Sequence, residues 1–316
     1  MKYLLRAFSI AVLVPNLFGT PNLQSANAQD ANPQTTGAIA ARQKPLYARL
    51  AWKRASPADL ELGGDIPGAN REQSKRYITR DQLLALPQVS YTVTNDANFI
   101  GPTQISGVAL EELTQKLAAN PESDIALAIC TDGYETHYTH AYITAHHPVL
   151  VLKIDGKDPA DWPKFHESGA DMGPYLISSP DFKPSFKILS HEDEPQIPWG
   201  VVRLEIKSEA AVFDAIRPRS VPPTPEVEDG FRIAQQNCFR CHNSGGVGGT
   251  KAQRPWTVLS TWATASPDYF KAYIHDPQSK NPKSQMQAFP NYDAATLNAL
   301  TKYFQSFTDD AKGGKP

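Results

Sequence analysis

Cysteine is scarce in this chain: three in 316 residues, at 130, 238 and 241. Two of them stand as Cys238-x-x-Cys241, and no second pair exists to complete a four-ligand zinc site. An odd count with one pair committed elsewhere leaves Cys130 no partner, so a structural disulfide is not expected. Its apolar neighbours, Ile125 to Ile129, read as the setting of a buried, inert thiol. Excess charge is absent too: the formal net charge is −2, which gives no electrostatic reason to expect nucleic acid or an anionic membrane surface as partner. Past the first residues no apolar run approaches the roughly 20 residues that span a bilayer. No Ser/His/Asp arrangement, phosphate-cradling loop or paired-carboxylate motif stands out. Internal repeats are lacking as well.

What is present begins with an export signal. Lys2 and Arg6 precede a short apolar stretch, Ala7 to Phe18, and Ala26-Asn27-Ala28 is a small-x-small cleavage pattern. Residues 1–28 are therefore read as a signal peptide cleaved after Ala28, with the mature protein expected in the periplasm; the alternative is an uncleaved membrane anchor, for which the apolar run is short. Residues 29–44, rich in Gln, Asn, Ala and Thr, read as disordered. Residues 45–210 read as one α+β domain, and residues 211–226, with Pro218, Pro222, Pro223 and Pro225, as a stiff polyproline-like spacer. A second domain occupies 224–309, and 310–316 form a polar tail.

Cys238-Phe239-Arg240-Cys241-His242 is the most informative stretch. C-x-x-C-H is the attachment signature of c-type haem. Two thiols form thioethers with the porphyrin vinyl groups, and the following imidazole, His242, supplies the proximal iron ligand. A dithiol redox pair would need neither this His nor a Met further on. Bacterial c-type maturation takes place outside the cytoplasm, in keeping with export. Thr224-Pro225 is a helix start, and Val227, Phe231, Ala234 and Cys238 then share one face. Gly230 would admit a crossing helix, expected near the C-terminus where Leu297, Leu300, Phe304 and Phe307 form a stripe. Between them, residues 267–274 read as a shorter helix. Met286 is the favoured sixth ligand, since a thioether favours Fe(II). His275 is the rival, which would lower the potential, and an open or water-bound position is the third option.

These residues resemble a class I cytochrome c domain. Gly230-Phe231, the C-x-x-C-H stretch, Pro255, Met286 and the helix from Leu297 to Phe307 occur in the family's order. The resemblance implies an all-α fold in which the Pro255 carbonyl accepts the N–H of the His242 ring. Trp256 or Trp262 would pack at the haem edge. One departure is the Gly-rich stretch 245–249, expected to leave the loop after His242 flexible.

The first half opens a helix at the capping box Thr79-Arg80-Asp81-Gln82. A strand follows at 89–94, then a helix over 107–119 stopping at Asn120-Pro121, and strands at 125–129, 149–154 and 201–206. Leu83 to Pro87, Ile105 to Leu113, Cys130 to Tyr134 and Val151 to Lys157 resemble the molybdopterin-binding domain of the sulfite oxidase family. In that family a metal-ligating Cys lies before the helix. Here the stretch is Thr94-Asn95-Asp96-Ala97-Asn98-Phe99-Ile100-Gly101, without a thiol, so molybdopterin is not expected. His137, His140, His146 and His147 raise a metal site as one reading and solvated histidines as the other.

The sequence thus points to an exported electron carrier with one covalent haem c, serving a redox partner or a respiratory complex. The alternative is a molybdenum-dependent oxidoreductase with a fused haem relay.

Overall fold

In the computed structural model, the described residues are 46–67, 75–117, 122–180, 182–219 and 222–307. The export signal, the segment to residue 44, the Asn120-Pro121 stop and the tail lie outside them.

Among the described residues the first half carries eleven strands: β1 (Leu60–Gly64), β2 (Arg76–Ile78), β3 (Val89–Val93), β4 (Thr103–Ala109), β5 (Ile125–Cys130), β6 (Glu135–Thr139), β7 (Val149–Ile154), β8 (Leu176–Ser178), β9 (Lys187–Ile188), β10 (His191–Glu192) and β11 (Val201–Lys207). A five-stranded sheet runs β2-β1-β11-β5-β6 and a four-stranded sheet runs β3-β4-β7-β8. Only β1 and β11 pair in parallel within these sheets. Helices α1 (Arg80–Leu84), α2 (Leu110–Leu117), α3 (His140–His146) and α4 (Glu209–Asp214) connect or flank them. The second half is helical: α5 (Pro225–Gln236), α6 (Trp256–Ala265), α7 (Pro267–His275), α8 (Pro277–Lys280) and α9 (Ala294–Gln305).

Strand β5 shows how the halves join. Its run Ile-Ala-Leu-Ala-Ile-Cys is apolar throughout, as expected of a strand covered on both faces. Ala126, Ala128 and Cys130 enter the core between the sheets, with Tyr138, Leu150 and Val201. Ile125 and Leu127 point the other way, into the core of the helical half with Phe231, Phe239 and Trp256. A third apolar cluster, with Val93, Ile105, Val151 and Trp162, covers the outer face of the four-stranded sheet.

The local signals behave as chemistry dictates. Thr79 accepts from Gln82 N–H while Gln82 reaches back to Thr79 N–H, a complete capping box. Thr224 caps α5 ahead of Pro225, and Asp293 caps α9. Gly230 lies where α5 crosses α9: a β-carbon there would collide with the Ala299 carbonyl.

Two expectations are corrected. The helix expected over 107–119 begins at Leu110, and Gly107 to Ala109 are strand. Gly107 faces Val151 across the ladder so closely that a β-carbon would strike the Leu150 carbonyl, so this glycine serves pairing of β4 with β7. Residues 211–216 are not spacer. Helix α4 buries Val212 and Phe213, with Ile216 just beyond, in the helical core. Pro218, just beyond, is itself buried, whereas Pro222, Pro223 and Pro225 are exposed.

Candidate haem-attachment site

Helix α5 ends at Asn237, and Cys238 to Arg240 form a single 3-10 turn. The Cys241 and His242 amides both donate to the Cys238 carbonyl, at 3.2 and 2.9 Å. Both thiols are half-buried and free. Phe239 is fully buried and pins the turn. Its ring stacks on His137 with centroids 5.1 Å apart, and meets Trp256 edge-on at 5.5 Å.

The Gly-rich stretch that follows is a tight turn. Ser244 and Val247 exchange backbone hydrogen bonds at 2.8 and 3.1 Å around Gly245 and Gly246, both at positive φ. Gly248 lies flat on the Phe239 ring and Gly249 on the Arg240 carbonyl, leaving no room for a β-carbon at either. The next residues dock on the first half. The Thr250 amide donates to the Gly133 carbonyl at 2.8 Å, and Lys251 Nζ meets Asp132 at 2.8 Å. The expected flexibility of this loop is thus replaced by a glycine-dependent fit.

His242 is buried, and its Nδ1–H donates to a carbonyl at 2.6 Å. That carbonyl belongs to Arg254, which corrects the assignment to Pro255. Pro255 instead opens α6, where its own carbonyl accepts from Val258 and Leu259 N–H at 2.9 and 3.4 Å. The first carbonyl of a helix is committed to the helix, so the preceding one faces the ring. The bond fixes the tautomer with the Nε2 lone pair free. Burial lowers the His242 pKa below its ordinary value, outweighing the Arg254 hydrogen bond, and so favours the neutral, ligating ring. Two free thiols and an imidazole of this tautomer are the donor set a c-type haem needs.

Met286 is half-buried on the apolar cluster that also receives Cys238, Trp262, Phe289 and Leu297. Its loop is held by Gln278 Nε2, which donates to the Met286 and Ser284 carbonyls at 2.9 and 3.1 Å. Tyr273 OH donates to Ser284 Oγ at 3.0 Å. His275 ends α7 exposed, on an open surface with Asp268 and Lys271. Trp256 is core, its Nε1–H donating to Tyr303 OH at 3.2 Å, whereas Trp262 is half-buried under the Arg254 guanidinium.

The four histidines of the first half separate. His137 is buried and bonded to Glu135 at 2.9 Å, and His146 is buried and bonded to Asp193 at 2.8 Å. His140 opens α3 exposed, and His147 caps it at φ 45°. Among the described residues no group of three His, Cys, Asp or Glu side chains is placed to hold a metal. The stretch where the resemblance would put a molybdenum ligand, lacking a thiol, carries amides and a carboxylate already engaged. Asn95 donates to the Phe182 carbonyl, Asn98 to the Ile197 carbonyl, and Asp96 accepts from Ser178. The nearest thiol in sequence, Cys130, sits buried in β5, where burial pushes it up to about 12. This donor set does not fit a thiolate-ligated molybdenum.

With this geometry the helical half defines a cytochrome c domain, a module of haem-based electron transfer that works with redox partners. Residues 225–304 match the family model for cytochrome C oxidase, cbb3-type, subunit III. No curated protein matches the chain. Among solved structures, the sulfane dehydrogenase SoxCD from Paracoccus pantotrophus aligns at 15% identity and a TM-score of 0.34, over 50% of this chain and 40% of that chain. No helix among the described residues is long and apolar enough to cross a membrane.

Proposed function

We propose that the protein is a periplasmic single-haem electron carrier. Cys238 and Cys241 hold the haem c through thioethers, and His242 and Met286 ligate its iron. The observation that carries this reading is the His242 ring, its Nδ1–H spent on the Arg254 carbonyl at 2.6 Å beside two free thiols. The haem supplies a one-electron Fe(III)/Fe(II) couple. The chain's residues supply the rest. Arg254 orients the imidazole and raises its donor strength. Gln278 and Ser284 position the loop bearing Met286, and Met286 itself packs half-buried against the apolar core of the helical half. Six-coordination by His and Met leaves no place for substrate at the iron, so the protein's task is position, potential and recognition of a redox partner. The N-terminal residues Lys2, Arg6 and Ala26-Asn27-Ala28 support export.

The test is production in a host with working c-type maturation, followed by a denaturing gel stained for haem peroxidase activity. The mature chain is expected to stain, and Cys238→Ala/Cys241→Ala is expected to lose the stain. Unstained wild-type protein from such a host would end this reading.

A further inference from the structure

Where the helical half meets the first, a cavity of about 310 Å³ opens between β6, α3, the segment 185–196 and α5. Its size is at the small end of the ~300–1,000 Å³ typical of ligand pockets. One wall is Arg240, the residue between the two haem cysteines in the attachment motif. Arg240 is only 7% exposed. Its guanidinium reaches a single partner, Tyr134 OH, at 3.5 Å, and its Nε–H has none. Among the described residues no carboxylate lies within ion-pair distance of it.

A buried guanidinium offering five N–H donors and using one is an unmet demand for an anion. The neighbouring acids meet it only in part: Glu194, whose charge favours the Arg240 cation from beyond ion-pair distance, lies 3.7 Å from His191 Nδ1. Asp193 is occupied by His146 and by Ser185, at 2.8 and 2.7 Å. Glu209 is partly exposed and heads α4, its pKa raised by burial and by the nearby Asp124. A second cation, Arg232, stands exposed on the cavity lining and would steer an anion inward.

Two further buried atoms on the lining are unpartnered, and both are acceptors. His137 Nε2–H donates to Glu135, which leaves Nδ1 as a lone pair without a partner. Gln236 Oε1 is likewise unpaired. Phe213 and Tyr142 supply apolar walls between these polar points.

We propose that this cavity is a binding site for a small hydroxylated organic acid. The carboxylate pairs with Arg240, the hydroxyl donates to His137 Nδ1 or Gln236 Oε1, and the apolar body lies against Phe213 and Tyr142. Neither proposed iron ligand, His242 or Met286, lines the cavity, and its occupancy is measurable without any electron-transfer assay.

Isothermal calorimetry on the full-length haem-loaded protein tests this, with mandelate as probe. Phenylacetate, lacking the hydroxyl, and 1-phenyl-1,2-ethanediol, lacking the charge, are the comparisons. Saturable one-to-one binding of mandelate is expected. Phenylacetate should bind more weakly and the diol should not bind. Arg240→Gln should weaken mandelate by about tenfold or more, the loss of a charge-assisted contact. Ala141 is exposed on the cavity lining, so Ala141→Phe should block entry while leaving the buried network intact. If Arg240→Gln does not fold, as judged by its haem spectrum and melting curve, Ala141→Phe decides alone. No saturable binding to wild type, or unchanged binding in the folded variants, overturns the site. Equal affinity for phenylacetate overturns the hydroxyl contact, and binding of inorganic phosphate in preference to mandelate overturns the organic class.

Discussion

Met286 is one side chain on whose sulfur the potential of the proposed iron site turns. A soft thioether stabilises Fe(II), so Met286→Ala is expected to lower the midpoint potential and to let reduced protein bind carbon monoxide. An unchanged potential in a redox titration would assign the distal position to another residue. Gln278 acts through that loop only, by two hydrogen bonds to its carbonyls. Asp132 and Lys251 form a different kind of contact, an ion pair between the halves in which each side chain is more than 40% exposed. Burial works to raise the Asp132 pKa, but the hydrogen bond and charge of Lys251, with the Tyr134 amide, hold it below its ordinary 3.8. A depressed carboxylate stabilises the fold above its unfolded pKa, and the gain disappears as pH falls through the lower folded value. Asp132→Asn should therefore cost under about 1 kcal/mol near neutrality, as solvent-exposed pairs do. The melting curves of variant and wild type should converge as pH is lowered toward 3 and stay apart from pH 5 to 8.

Helices α5 and α9 form the scaffold that brings the C-x-x-C-H turn to its place. Gly230 is the contact point, with the Ala299 carbonyl and Tyr303 Cβ where a side chain would have to go. Gly230→Ala should destabilise by about 1–3 kcal/mol by overpacking, read as a shift of the denaturant midpoint at constant slope. This glycine was legible in sequence because helix spacing places it beside Phe231 on a buried face. Gly107 was not, because its reason is the approach of β7 from 44 residues away, between Gly107 and Val151. The same holds for the proximal carbonyl. Sequence places a proline near the right spot, but which carbonyl faces His242 depends on where α6 begins, and α6 begins at Trp256. Helix α6 itself was hidden in the linear pattern: Trp256, Leu259, Ser260 and Ala263 are buried, a face without a continuous aliphatic stripe.

Across the whole molecule, the described residues belong to one compact unit. Ile125 and Leu127 of β5, and Val212, Phe213 and Ile216 around α4, share a core with Phe239, Trp256 and Leu300. Calorimetry on the haem-loaded protein should therefore show the two halves melting in one cooperative transition. Two well-separated transitions would contradict the shared core. Phe239→Ala removes the ring between His137 and Trp256 and should cost about 3–5 kcal/mol. The haem attachment chemistry was written in the chain itself, since two thiols and an imidazole within five residues need only one local turn to act together. The Thr79 capping box, the Thr224 cap and the α5 and α9 faces were legible for the same reason: their partners lie within a turn or two. The docking of the Gly-rich turn on Gly133, the tautomer of His242 and the lone guanidinium of Arg240 in its cavity were decided only by tertiary structure. Each depends on a backbone or side chain brought in from a distant segment, and no local pattern encodes where that segment will lie.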